Sequence, residues 1–215
     1  MSLQEELKAF NQGFVNKAPA EVVTTMTEAT EQLYRSGLAE GALEVGQRAP
    51  DFDLPELGGG RVTLSTMLKN GPVVVSFYRG AWCPYCNLEM QALQRSLPDI
   101  EAAGGSLIAI APETPEHAGE IRDKGNLTFP LLHDWQNGVA RQYGLVFTLP
   151  ESLKPIYANF GIDLAESQDN DAFELPMPAT YIISRDGMVK HAFVDVDHTR
   201  RMEPSEIVEI LKSIG

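Results

Sequence analysis

Residues 73–90 read VVVSFYRGAWCPYCNLEM, and this stretch decides the fold. Val73–Tyr78 is a continuous run of β-branched and aromatic residues around Ser76. A central strand covered on both faces reads this way. Trp82-Cys83-Pro84-Tyr85-Cys86 follows, and apolar residues at Leu88, Ala92, Leu93, Leu97 and Ile100 then keep one helical face. The reading is a strand, a CxxC turn and a helix over about 84–103. Pro84 stands in its first turn and Gly104 past its end. Pro98 should kink it.

Working outward, Arg61–Ser65 reads as a short strand and Ser106–Ala111 as a second buried strand. Glu116–Lys124 reads as a helix, Phe129–Leu132 as a short strand and Asn137–Tyr143 as a short helix. Ala179–Ser184 and Met188–Val194, joined at Arg185-Asp186-Gly187, form a hairpin by pattern. Pro204–Ile214 closes the chain as a helix. The order β-α-β-α, then β-β-α, predicts an α/β fold with a mixed sheet flanked by helices. Two regions stand outside this order. Residues 148–177, rich in Pro and acidic residues, read as an irregular insertion with one short helix. Residues 1–45 read as a helical extension before a domain over 46–215. Leu3, Leu7, Phe10, Phe14, Val22, Met26 and Leu33 give it an apolar stripe. That stripe packs on the domain or on another subunit, and so suggests a homodimer.

The chain has 215 residues, enough to bury a full core without staples. Against 17 Lys and Arg stand 30 Asp and Glu, a net charge of −13. Such a chain is repelled by nucleic-acid phosphates and anionic membrane surfaces, so neither is an expected partner. No apolar run reaches the length of a membrane helix. The start MSLQEELKAF lacks the pattern of a secretory signal, so the expected compartment is the reducing cytoplasm. The only cysteines are Cys83 and Cys86, and there a close pair points to redox chemistry. A metal site would need two further ligands, and the four histidines offer no close pair. Neither metal nor cofactor is expected. An inert buried pair is the plain alternative.

A cysteine at a helix start meets free backbone N–H groups and the positive end of the helix dipole. Its thiol pKa, near 8.5 in a free chain, falls as a result. The second cysteine, one turn on, is placed to close an intramolecular disulfide.

Ser76–Met90 resembles the active-site segment of the thioredoxin-like superfamily. It is most similar to the redoxin and peroxiredoxin group of the bacterioferritin-comigratory type. Ala49-Pro50-Asp51-Phe52, Phe129–Asp134 and Pro178–Ile183 extend the resemblance across roughly Gly46–Gly215. It implies a thioredoxin-like fold and a thiol peroxidase that takes hydrogen peroxide or organic hydroperoxides. The donor implied is thioredoxin or a similar dithiol.

Two registers compete within it. Thioredoxin-type WCxxC makes Cys83 the nucleophile and Cys86 its resolving partner. The peroxiredoxin pattern, laid on Phe77 and Tyr78, puts the peroxidatic cysteine at Cys86 and a matching acid at Glu89. It also leaves Arg79 where a proline is usual and Cys83 where a threonine is usual. Access favours Cys83. The arginine that peroxiredoxins carry before the last strand pair is replaced by Pro178, where thioredoxins have a cis-proline. Met177–Pro178 is therefore expected to be cis and beside Cys83, with the backbone before it free to pair with a substrate strand. Arg79 is the candidate replacement cation, Trp82 a cover over the cysteines, and Glu89 a proton relay or an exposed helix residue. Asp195–His198 reads as a strand end and turn, or less readily as an acid–base site. The alternatives to a peroxidase are a protein-disulfide oxidoreductase, favoured by the CxxC and Pro178, and a redox-sensing binding module.

Overall fold

The computed structural model describes residues 1–214. Two helices open the chain, α1 (Leu3–Lys17) and α2 (Ala20–Arg35). A hairpin of β1 (Asp53–Pro55) and β2 (Arg61–Thr63) leads into the single turn α3 (Leu64–Met67). Then β3 (Val73–Phe77), α4 (Pro84–Ala102), β4 (Ser106–Ala111), α5 (Pro115–Gly125) and β5 (Leu131–His133) alternate. Five short elements follow: α6 (Gly138–Gln142), β6 (Val146–Thr148), α7 (Lys154–Asn159), α8 (Leu164–Gln168) and β7 (Glu174–Pro176). The hairpin β8 (Ala179–Ile183) and β9 (Val189–Val194) precedes the last helix, α9 (Pro204–Ile214).

The main sheet has the order β5-β4-β3-β8-β9. β3 runs parallel to β4 and antiparallel to β8, and it is buried along its whole length. Strand periodicity sorts its side chains between two cores. Val74 and Tyr78 join Met90, Leu93 and Leu211 beneath α4 and α9. Val73, Val75 and Phe77 meet Phe52, Tyr143 and Tyr181 on the other face. This places the C-terminal end of β3, and hence the CxxC, at the centre of the sheet edge where α4 begins.

Much of the apolar stripe of the extension packs within its own chain, though Phe10 stays 39% exposed. Leu3 and Leu7 are buried in the cluster under α4, and Ser2 and Glu5 form a reciprocal capping box that starts α1. Ala29, Val22 and Met26 of α2 pack on Leu153, Ile156 and Tyr157. That second surface belongs to the insertion, which is more ordered than its composition suggests. β6 and β7 pair antiparallel, Val146 opposite Pro176 and Thr148 opposite Glu174, and clip the segment between them. Two short helices and a small apolar core lie inside the clip, where one helix was expected. The strand expected over 61–65 stops at Thr63, because Leu64 turns inward and starts α3. Helix α4 runs unbroken through Pro98.

Candidate active site

The loop between β3 and α4 is held from both ends. Tyr78 N–H donates to the Ile110 carbonyl at 3.0 Å and Cys83 N–H to the Gly80 carbonyl at 3.1 Å. Ala81 N–H donates to the Glu113 carboxylate at 2.8 Å. Asn87 Nδ2 ties the Ala81 and Cys83 carbonyls at 2.7 and 2.8 Å. Gly80 has φ +151°, and a Cβ there would lie 2.3 Å from the Trp82 indole nitrogen. Only glycine lets the loop close this tightly.

Cys83 is the N-cap residue of α4 and Pro84 its first helical residue. Both cysteines are free thiols, Cys83 1% exposed and Cys86 fully buried. Two buried arginines flank them. Arg201 Nη2 donates to Cys86 Sγ at 3.1 Å, and Arg79 N–H to the same sulfur at 3.5 Å. Arg201 also pairs with the buried Glu89 carboxylate and donates to the His198 and Arg200 carbonyls. The Arg79 guanidinium bonds the Tyr157 hydroxyl and sits 5.0 Å from the Trp82 ring centre.

Burial alone would raise both thiols. At Cys83 that effect is outweighed by hydrogen bonds from the Cys86 thiol and backbone and by the charges of Arg79 and Arg201, so its pKa falls to about 6. At Cys86 burial acts in the same direction as the hydrogen bond to Cys83 and its negative charge, and the pKa goes well above the ordinary value. One thiolate is thus shared by the pair, with the proton on Cys86. Burial lifts Glu89 and Glu113 to about 7. Burial, then Arg79 and Arg201, holds His198 well below its ordinary value, as a neutral imidazole.

A cavity of about 340 Å³ opens at Cys83, floored by Arg79, Trp82, Pro84, Tyr85 and His198. Trp82 packs on Tyr157 with ring centres 5.6 Å apart. Phe10, Phe14 and Met26 of the extension line its outer part. Phe10 meets Tyr85 edge-on at 5.2 Å, and the Tyr85 hydroxyl donates to Asn11 Oδ1 at 3.0 Å.

Cys83, Cys86, Arg79, Trp82 and Glu89 therefore come together, and Pro178 does not join them at the cavity. The Met177–Pro178 peptide is trans, since the described residues contain no cis peptide. Met177 N–H donates to the Leu145 carbonyl at 2.8 Å, continuing the β6–β7 ladder. The backbone N–H before Pro178 is thus taken up by Leu145, just ahead of the insertion, and is not free for a substrate strand. Glu89 is not an exposed helix residue. It is 1% exposed, and a carboxylate so placed needs the cation that Arg201 supplies.

Arg201, Glu113 and Tyr157 were not anticipated. A signal for the first was present, because Cys86, Glu89, Leu93, Leu97 and Ile100 share one helical stripe. An acid on an apolar stripe calls for a buried cation. His198 reads in the sequence as part of a turn or, less readily, of a metal or acid–base site, and the structure places it in the cavity lining.

Residues 45–192 match the model of the AhpC/TSA family. The peroxiredoxin Bcp of Escherichia coli K12 is 32% identical over 103 residues, 48% of this chain and 65% of that one. A Mycobacterium tuberculosis relative is 35% identical over 102 residues, 47% of this chain and 64% of that one. The chain thus spans just under two thirds of these two curated relatives. Among solved structures, peroxidoxin BcpB from Mycobacterium tuberculosis superposes with a TM-score of 0.63 at 22% identity, over 80% of this chain and 99% of that one. A peroxiredoxin-like protein from Aquifex aeolicus gives 0.62 at 16% identity, over 81% and 89%. The fold is thioredoxin-like. The extension, His198 and Arg201 all lie outside the family-matched segment.

Proposed function

Because the chain belongs to the AhpC/TSA family, we propose that it is a thiol peroxidase in which Cys83 is the attacking thiolate and Cys86 the resolving thiol. The observation that carries this reading is the Cys83 sulfur, an acidified thiol at the start of α4 beside two buried arginines, at a cavity that opens to the surface.

The Cys83 thiolate attacks the terminal oxygen of a hydroperoxide. The O–O bond breaks, Cys83 becomes a sulfenic acid, and the leaving oxygen departs with the electron pair. The Cys86 thiol, bonded to Cys83, gives its proton to that oxygen and is left as a thiolate. It then attacks the sulfenic sulfur, closing the disulfide and releasing hydroxide. The protein has lost two electrons and the peroxide has become an alcohol, or water. A dithiol donor returns the electrons by thiol–disulfide exchange. Arg79 and Arg201 stabilise the thiolate and then the charge that grows on the departing oxygen. Glu89 holds Arg201 in place.

The disulfide-oxidoreductase reading is weaker on this geometry, because Met177 N–H is already paired and Cys83 lies under the extension. The same cover bears on the donor. Phe10 and Phe14 of α1 line the cavity, so either a small dithiol or a thioredoxin-like donor would meet them on the way to the disulfide. A free vicinal pair suits a reducing compartment such as the cytoplasm.

The test is peroxide consumption by the reduced protein with thioredoxin and thioredoxin reductase, or with dithiothreitol, alongside insulin reduction. Sustained peroxide turnover with little insulin reduction is expected. Insulin reduction without peroxide turnover would overturn the reading.

A further inference from the structure

Arg201 stands beside Cys86 Sγ although it belongs to neither a helix nor a strand. It lies on the loop between β9 and α9, 115 residues from that sulfur in the chain. Its guanidinium bonds in two directions. Toward α4 it reaches the Cys86 sulfur at 3.1 Å and the Glu89 carboxylate. Nη1 turns back to its own loop, to the His198 carbonyl at 2.8 Å and the Arg200 carbonyl at 2.7 Å. The guanidinium therefore goes where this loop backbone goes, and a shift of about 1 Å is enough to misplace such a group.

The extension ties the loop at both ends, with a different helix at each. At its start, the Tyr34 hydroxyl of α2 bonds the Asp195 carboxylate, which also pairs with Arg200 at 3.1 Å. At its end, Gln4 Nε2 of α1 donates to the Arg201 carbonyl at 2.7 Å. Two residues on, the Glu203 carboxylate accepts the Leu3 and Gln4 N–H groups at 3.2 and 3.1 Å. These are the first two N–H groups of α1, and Ser2 Oγ takes the third, from Glu5, at 3.2 Å. Glu203 thus meets the free donors and the positive dipole end of the helix start.

Packing alone does not call for these ties. Leu3 and Leu7 already bury α1 in the cluster under α4. Gln4 is exposed, so its bond to the Arg201 main chain adds little burial. Arg79, the other cation at the cysteines, is held differently, by the Tyr157 hydroxyl. Arg201, Gln4 and Glu203 all stand outside the segment 45–192 that matches the family.

Resting on the peroxidase reading, in which Arg201 serves the cysteine pair, we propose that Gln4 and Glu203 are positioning residues for the Arg201 guanidinium. The extension is thereby an integral part of the active site.

The test is the ionisation of Cys83, followed by the ultraviolet absorbance of its thiolate from pH 4.5 to 8.5 with the disulfide form as blank. This readout needs no peroxide. Gln4→Leu removes the donor from an exposed side chain and should leave the fold intact, and Glu203→Ala removes the acceptor of two N–H groups. Each should raise the midpoint from near 6, cutting the thiolate at pH 6 by about two- to fivefold and hardly at all at pH 8. The peroxide oxidation rate should follow the same profile. In an Arg201→Met background neither substitution should shift the midpoint further, because changes that act through one group do not add. Glu6→Gln breaks the 2.8 Å ion pair of α1 with Arg95 on α4 without touching the loop, and should leave the midpoint in place. Unchanged midpoints in Gln4→Leu and Glu203→Ala overturn the proposal. So does a shift of the same size in the Arg201→Met background or from Glu6→Gln, since the effect would then not run through Arg201. The expected shifts in a protein that consumes no peroxide uphold the positioning role and overturn the peroxidase reading instead.

Discussion

Replacing Arg201 by methionine keeps most of the side-chain volume and removes one charge from the site. Arg201 is 2% exposed and contributes a 3.1 Å hydrogen bond to Cys86 Sγ, together with part of the field that acidifies Cys83. With a pKa of about 6, Cys83 is about nine-tenths thiolate at pH 7. Full reversion to about 8.5 would leave about 3% thiolate, a loss of about 30-fold. Arg79 and the α4 N-terminus remain in the variant, so a rise of about one to two units is expected, a two- to tenfold loss at pH 7 from ionisation alone. That part should return by pH 9, while any loss in stabilising the leaving oxygen should persist. Glu89, already lifted to about 7, takes up a proton once its cation is gone, which limits the cost to the fold. The assay is the peroxide oxidation rate from pH 5 to 9, followed by Trp82 fluorescence. The parent midpoint should lie near 6 and the Arg201→Met midpoint clearly higher. An unchanged midpoint would show that Arg201 does not set the thiolate, and the electrostatic account of the site would fall.

Three further outcomes are expected. Glu89→Gln removes the partner of a buried guanidinium and should cost about 3–5 kcal/mol in urea unfolding, where an exposed acid would cost almost nothing. Gly144→Ala meets both φ +69° and a Cβ position 2.0 Å from the Gly41 carbonyl oxygen; it should cost about 2 kcal/mol or more and loosen the chain where the extension joins the domain. The Cys83 thiol has a folded pKa below its unfolded one, so its contribution is complete above about pH 8.5 and is lost as pH falls through about 6. The stability gap between the reduced parent and Cys83→Ser should therefore widen from pH 5.5 to 8.5 by up to about 3 kcal/mol in thermal or urea melts.

What was legible in the chain was local. Val73–Phe77 announces a covered strand by its composition, Pro84 marks a helix start, and the hairpin over 179–194 follows from alternation around Asp186-Gly187. What was not legible depends on long-range closure. Arg201 meets Cys86 across 115 residues, and neither Thr199-Arg200-Arg201 nor its spacing says where that loop lands. Its position is fixed in part by the extension, because Gln4 Nε2 bonds the Arg201 carbonyl at 2.7 Å and Glu203 accepts from the first N–H groups of α1. The geometry at Pro178 ran against expectation for a similar reason. The insertion read as irregular, yet its β6–β7 clip takes up the Met177 N–H that a thioredoxin-type site would leave open.

The central claim is that Cys83 carries the reactive charge and Cys86 its proton. The most direct measurement is stopped-flow peroxide oxidation of the two single variants, with dimedone trapping of the product. On this account Cys86→Ser still reacts and accumulates a sulfenic acid on Cys83, at a rate reduced only by the lost thiol hydrogen bond, while Cys83→Ser is inert. A reactive Cys83→Ser that traps a sulfenic acid on Cys86 would contradict it and assign the peroxidatic role to the other sulfur.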